Sequence, residues 1–103
     1  MSVNAARKFR IVPNQVRDFH LEHEGSADYT VTLVRTHGVV GLDFRVFNRG
    51  AADITYQLDG GSTITVPSHG SRGYDNTKFT LLRVTAAVAF SVMIAGVYIN
   101  GGV

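Results

Sequence analysis

Two short stretches hold the residue types that perform most protein chemistry. The first, HLEHE, places His20 and His23 three residues apart, with Glu22 and Glu24 beside them. On a helix, His20, His23 and Glu24 would share a face and could hold a metal ion, whereas on a strand His23 would point away from the others. A closed zinc site needs a fourth ligand, and nothing nearby supplies a matching second pair. The pattern therefore indicates a polar surface turn before Gly25, and we expect no metal.

The second stretch, PSHGSRGYD, brings Ser68, His69 and Asp75 close together in sequence. A nucleophilic triad depends on geometry and an oxyanion hole, and neighbours along a chain do not produce that geometry. The same stretch could form a backbone nest for an anion, from Gly70, Arg72 and Gly73. A connection between sheets is the simpler interpretation. We expect no enzyme and no cofactor; a small-molecule hydrolase that depends on His69 ranks third among the hypotheses.

Residues 84–99, VTAAVAFSVMIAGVYI, form a run of sixteen residues without a charge. A bilayer-spanning helix needs about 20 predominantly apolar residues, and this run is shorter and rich in small side chains. Its β-branched and aromatic residues indicate a strand, and we expect no membrane partner. Sixteen extended residues would span about 53 Å. That exceeds one sheet of a small domain, so we expect a bend or bulge at Gly96 or at Ala86–Ala87.

The second face of this predicted strand is small and uncharged, whereas a face that meets water is normally polar. Two explanations stay open: another part of the chain covers the face, or the face is a subunit interface. The residues predicted for an interface are Met93, Ala95, Val97 and Ile99, together with Phe9 and Ile11 of the N-terminal segment.

Strands and turns account for the rest of the chain. Alternating or apolar segments occupy residues 28–36, 39–48, 53–58, 62–67 and 78–85. Within 39–48, alternation predicts one apolar face formed by Val40, Leu42, Phe44 and Val46. DGG at 59–61 is a strong hairpin signal, and residues 67–76 have the composition of a loop. Short strands at about 8–12-residue spacing predict an all-β antiparallel sandwich, immunoglobulin-like or jelly-roll, with an extended N-terminal arm.

The N-terminal segment differs in kind from this sandwich. We assign residues 1–25 to a basic arm or edge segment and residues 26–103 to the β-sandwich domain. The arm holds four of the ten basic residues, and no acidic residue precedes Asp18. The predicted partner-binding residues of the arm are Arg7, Lys8, Arg10 and Arg17.

Three conformations fit the N-terminal segment: a pair of edge strands broken by Pro13, a short helix that begins at Asn14, or an extended arm on a neighbouring molecule. In the first, Phe9 and Ile11 lie on one strand, and Phe19 and Leu21 on the other. Because the interleaved apolar residues favour burial, we expect the segment to dock, in cis or in trans.

Composition narrows the remaining function classes. The chain of 103 residues carries a net charge of +2, too small for the strong basic stripe of a nucleic-acid footprint. Cysteine is absent, which fits synthesis in a reducing compartment. The first fifteen residues lack the apolar core of a signal peptide, so we expect no secretion by that route.

The run NRGAADITYQLDGGSTITVPSHGSRGYDN combines a turn, a tyrosine-bearing strand, a DGG hairpin, a Val-Pro strand end and a Gly-Ser loop. Over about residues 28–99 the chain resembles, in general pattern, the small β-sandwich decoration or cement proteins of tailed bacteriophage capsids. That resemblance implies a non-catalytic virion protein that is made in the host cytoplasm and binds the outer capsid surface. It also implies the major capsid protein or other virion subunits as partners, self-association favouring a trimer, and arms that reach across joints. The main competitor is a carbohydrate-binding or adhesin-like module with a platform drawn from Tyr29, Tyr56, Tyr74 and Tyr98.

Overall fold

The computed structural model describes residues 17–99, which form eight strands and one short helix. In chain order these are β1 (Phe19–Gly25), β2 (Tyr29–Thr32), α1 (Leu33–His37), β3 (Val39–Asn48), β4 (Ile54–Leu58), β5 (Ile64–Val66), β6 (Ser71–Tyr74), β7 (Leu81–Thr85) and β8 (Phe90–Tyr98). Sheet A has the order β1-β8-β3-β6, and sheet B has the order β2-β7-β4-β5. The chain is therefore an all-β antiparallel sandwich, as its turn spacing predicts.

The strand pairing also distinguishes the two sandwich types that the sequence leaves open. The pairs β4–β5, β3–β6, β2–β7 and β1–β8 are those of one long hairpin closed at its centre. This hairpin is wrapped so that β8 also pairs with β3, and β7 with β4. Eight strands in two four-stranded sheets with this order form a jelly roll.

The uncharged run at 84–99 divides between the two sheets. Val84 and Thr85 end β7 in sheet B, and β8 begins at Phe90 in sheet A. The expected break at Ala86–Ala87 is confirmed, because residues 86–89 connect the two strands. Phe90, Val92 and Ile94 of β8 are buried in the main core between the sheets.

A β-bulge overturns one predicted face in β3. The register of β3 against β8 shifts between Gly41 and Asp43, and such a bulge moves the following side chains to the opposite face. As a result, Val39, Phe44 and Val46 lie in the main core. Val40 and Leu42 instead form a second cluster with Val97, against which Ile99 packs. The prediction of a single face from Val40 to Val46 is wrong for this reason.

Two local elements differ from the sequence pattern. The strand predicted at 28–36 ends at Thr32, and α1 then carries the chain from sheet B towards sheet A, with Leu33 fully buried. Gly38 ends this helix at φ 67°, which confirms the turn predicted there. The region predicted as a loop at 67–76 contains β6, because the free edge of β3 offers a pairing partner to residues of little strand propensity. Nothing in residues 17–99 makes a helix of the length and hydropathy that a bilayer crossing requires.

Candidate functional site

The outer face of sheet A carries a shallow groove of about 360 Å³ along β8, which we call the β8 groove. Met93 and Ala95 of β8 form its floor. Its walls come from flanking strands and one loop, with His20 and Glu22 on β1, Asp43, Arg45 and Phe47 on β3, and Asp75 after β6.

Strand register explains how these residues come together. Met93 pairs with Glu22 on one side and with Arg45 on the other. Ala95 likewise lies between His20 and Asp43. Because paired residues on adjacent strands point to the same face, each row places a small or flexible β8 side chain between two polar ones. The β8 groove therefore has an apolar floor between polar walls.

Met93 is the most exposed apolar residue of the β8 groove, with 48% of its surface accessible. Its neighbours Val92 and Ile94 are almost fully buried on the opposite face of β8. Since one face of the strand is held by the core, Met93 is presented outwards from a rigid central strand rather than from a loop. A thioether at such a position adapts to the shape of a partner surface.

One wall of the groove is fixed by an ion pair. The Arg17 Nε donates to Asp43 Oδ2 at 2.8 Å, and the Asn76 backbone N–H donates to Asp43 Oδ1 at 2.9 Å. Partial burial alone would raise the pKa of Asp43, but the hydrogen bonds from Arg17 and Asn76 and the Arg17 charge outweigh it, so that this pKa is lowered. Asp43 is therefore a fixed anion, while Glu22, Asp75 and Arg45 complete the charge of the walls.

The predicted interface residues divide into two groups. Met93 and half-buried Ala95 lie in the β8 groove. Val97, 8% exposed, and half-buried Ile99 belong instead to the second cluster, where the chain itself covers most of their surface. Arg17 of the predicted arm pairs with Asp43. The other predicted residues, Arg7, Lys8, Phe9, Arg10 and Ile11, lie outside the described residues.

The HLEHE segment lies on strand β1, so the prediction of a surface turn before Gly25 is wrong. The strand places His23 on the face opposite to His20, Glu22 and Glu24. His20, Glu22 and Glu24 are exposed on the outer face. His23 points the other way and stacks on Tyr29 with ring centroids 3.7 Å apart. Within residues 17–99, no three His, Asp or Glu side chains gather closely enough to hold a metal ion.

The Ser68, His69 and Asp75 combination is not assembled. Ser68 and Asp75 lie on either side of β6, whose four residues span roughly 13 Å. The Ser68 hydroxyl donates to the Gly50 carbonyl at 2.8 Å, so it ties two loops together. The anion nest considered as an alternative for this stretch is not formed either, because Arg72 and Gly73 are in extended β6 backbone paired with β3.

The four tyrosines of the competing hypothesis do not make one platform. Tyr56 is buried at 2% exposure, and Tyr29 is half-buried under His23. Tyr74 and Tyr98 are exposed but lie on different strands, Tyr74 packed against Phe44 and Tyr98 against Phe19. The proposed tyrosine platform for a sugar is therefore wrong.

Sequence reasoning missed the polar walls of the groove. Alternation along 39–48 places Asp43 and Arg45 on a polar face, which is a usable signal for exposure. It does not indicate that this face adjoins Met93, because that requires the order β1-β8-β3. Phe47 is half-buried on the same outer side, next to exposed Arg49.

Comparisons with protein-family models, with curated proteins and with solved structures found no match for the chain.

Proposed function

We propose that the protein is a non-catalytic structural subunit of a virus particle, which binds and stabilises the outer capsid surface through subunit contacts. The observation that supports this proposal most is the β8 groove, an exposed apolar floor on a rigid strand between charged walls. An apolar centre with a polar rim is the general anatomy of a protein–protein interface. The β8 groove has this form without a deep enclosure for a small substrate.

The jelly-roll order adds support from fold-level analogy. Jelly rolls occur in viral capsid proteins, and also in lectins and cupins, so the fold alone does not choose among them. The resemblance in chain length, strand pattern and basic N-terminal segment favours the capsid proposal within this group. The expected partners are the major capsid protein or other virion subunits, with self-association as a trimer and a location on the virion surface.

The β8 groove is small for a complete interface. A stable contact usually buries about 800 Å² on each partner, so surfaces next to the groove must take part. Repetition over a shell multiplies the contact, and each single contact can then be weak. We therefore expect modest affinity for one partner subunit and strong retention on an assembled particle.

Co-sedimentation with capsid shells that lack this protein tests the proposal. The unmodified chain should sediment with the shells, and Met93→Glu should reduce the bound fraction at least tenfold. Thr30 is an exposed residue of β2 in sheet B. Thr30→Glu is therefore the matched control and should bind as the unmodified chain does. Equal binding by Met93→Glu and Thr30→Glu would remove the β8 groove from the interface.

The carbohydrate-binding alternative retains one supporting observation. Phe47 and the acceptors Glu22 and Asp75 line the same groove, and an aromatic face beside carboxylates suits a sugar. A glycan array separates the two proposals. Specific binding that Phe47→Ala abolishes would favour the carbohydrate module over the capsid subunit.

A further inference from the structure

A second cavity lies where the end of β3 meets the connection into β6. Its volume is about 320 Å³, at the small end of the range for small-molecule sites in proteins. We call it the Arg49 pocket and define it by the residues that line it, which are Phe47, Asn48, Arg49, His69, Gly70 and Ser71. Phe47 also lines the β8 groove, so the two cavities are neighbours.

The side chains of the Arg49 pocket suit an anion. Arg49 is a permanent cation, and His69 and Ser71 offer further hydrogen-bond donors. Among the described residues, no Asp or Glu lines this pocket. The Asp53 carboxylate accepts a hydrogen bond from the Ser68 backbone N–H at 3.2 Å and lies outside the lining. An anion in the pocket would therefore meet donors without a carboxylate on the walls to repel it.

Two contacts hold the Arg49 side chain in place. Its Nε donates to the Ser91 hydroxyl at 3.1 Å, and Ser91 is itself buried. The guanidinium carbon lies 5.6 Å from the centre of the Phe47 ring. These contacts use one of the five guanidinium N–H groups, and no carboxylate within residues 17–99 pairs with Arg49. A guanidinium held in this way keeps its terminal N–H groups for a bidentate contact with an oxyanion.

His69 is presented by a fixed turn. The Gly70 N–H donates to the Pro67 carbonyl at 2.9 Å, and the Gly70 carbonyl accepts from the Asn48 N–H at 2.8 Å. Within this turn His69 has a φ of 61°, whereas the following Gly70 has no positive φ. Glycine adopts that conformation at less cost than histidine. A non-glycine residue held there at some conformational cost is typical of functional sites.

We propose that Arg49, His69 and Ser71 bind a tetrahedral oxyanion group, a phosphate or a sulfate. The three residues follow β3, precede β6 and begin β6, respectively. Donors from three places match the several oxygens of a tetrahedral group better than the two coplanar oxygens of a carboxylate. The pocket is larger than one phosphate group, so it has room for a small molecule that carries the group. This site goes beyond the proposed function, because none of the three residues lines the β8 groove.

Titration of the full chain with inorganic phosphate tests the proposal, at constant ionic strength so that general screening does not change. The backbone amide NMR signals of Gly70 and Ser71 should shift and reach saturation. Arg49→Gln should raise the Kd for phosphate at least about tenfold, because it removes charge-assisted hydrogen bonds. His69→Asn keeps a residue that tolerates a positive φ and should raise this Kd about threefold or more.

Arg83→Gln is the matched control. Arg83 is exposed on β7 of sheet B, and its loss changes the net charge by the same amount. This variant should bind phosphate as the unmodified chain does. Equal weakening by Arg49→Gln and Arg83→Gln would overturn the site in favour of general attraction to a basic chain. The absence of a saturable shift at Gly70 and Ser71 in the unmodified chain would overturn it outright.

Three further probes identify the ligand class. Acetate should bind more weakly than phosphate, and equal affinity would overturn the tetrahedral assignment in favour of a carboxylate. Glucose 6-phosphate should bind at least as tightly as phosphate: tighter binding would identify a carried phosphate group, and equal binding a free ion. Weaker binding would overturn the room for a carrier molecule. Glucose that binds as well as glucose 6-phosphate would overturn the oxyanion as the recognised group.

Discussion

Met93→Glu is the perturbation that most sharply separates a surface role from a folding role. Met93 is 48% exposed, and full burial of a methionine side chain contributes about 1.5–3 kcal/mol. A partner that covers the exposed half therefore gains roughly 1 kcal/mol from Met93. The introduced carboxylate must also be desolvated between Glu22 and Arg45, which adds about 1–2 kcal/mol.

Together these terms raise the Kd of each contact by roughly 30- to 140-fold, since 1.4 kcal/mol is tenfold. The folded chain itself should lose less than about 1 kcal/mol, because the new side chain points to solvent in the isolated subunit. Co-sedimentation with capsid shells over a series of shell concentrations gives the Kd, and urea unfolding gives the stability. Thr30→Glu on sheet B is the control.

Two results would refute this reasoning. An unchanged Kd for the shells would show that Met93 is not covered by a partner. A loss of several kcal/mol in the urea experiment would show that Met93 supports the fold, so that weaker assembly could not be assigned to the interface.

Three further predictions concern the scaffold that presents the groove. Tyr56→Phe should leave stability unchanged or raise it by up to about 1–2 kcal/mol in urea unfolding, because the buried Tyr56 hydroxyl finds no hydrogen-bond partner in the described part of the chain; a large loss would contradict its being unsatisfied. Gly96→Ala should lower the free energy of unfolding by roughly 2 kcal/mol or more, since a Cβ at this position would lie 2.3 Å from the Val40 carbonyl oxygen on the paired strand. A urea midpoint equal to that of the unmodified chain would contradict this close pairing. The lowered pKa of Asp43 means that its contribution is present above the unfolded pKa of about 3.9 and is lost as pH falls through the lower folded value. In Asp43→Asn, stability should therefore fall less steeply between about pH 5 and pH 2, as acid titration by circular dichroism would show, and an identical profile would contradict the Arg17 pairing.

The fold class was accessible from the sequence because strand periodicity and turn chemistry are local signals. Asp59 and Gly60 take positive φ angles of 51° and 72° in the DGG turn, as the hairpin signal requires. The break in the uncharged run was predictable too, since sixteen extended residues exceed the length of one sheet.

The elements that were missed depend on long-range partners. β6 has a composition typical of a loop and becomes a strand because it pairs with β3. The bulge at Gly41–Asp43 lies opposite Gly96, and no local sequence pattern in residues 39–48 predicts it. Sequence alternation continued through the bulge, so it assigned Val40 and Leu42 to the wrong face.

The candidate site was predictable only in part for the same reason. The uncharged sequence around Met93 predicted a face that is covered either by the chain itself or by a partner. In the described part of the chain, Met93 is left exposed on β8. Val97 shares its uncharged surroundings but is covered by Val40 and Leu42, a contact that requires knowledge of the bulge. Asp43 and Arg45 can be assigned to the site only when the strand order is known.

The oxidation rate of Met93 tests most directly whether the outer face of sheet A is a subunit contact. Peroxide treatment followed by peptide mass spectrometry would measure this rate in dilute protein, in concentrated protein and on capsid shells, with free methionine as the reference. A covered thioether should oxidise at least about tenfold more slowly in the assembled or shell-bound protein than in the dilute chain. The same rate in all three samples would show that the β8 groove meets water throughout, and would contradict the assignment of this face to subunit contact.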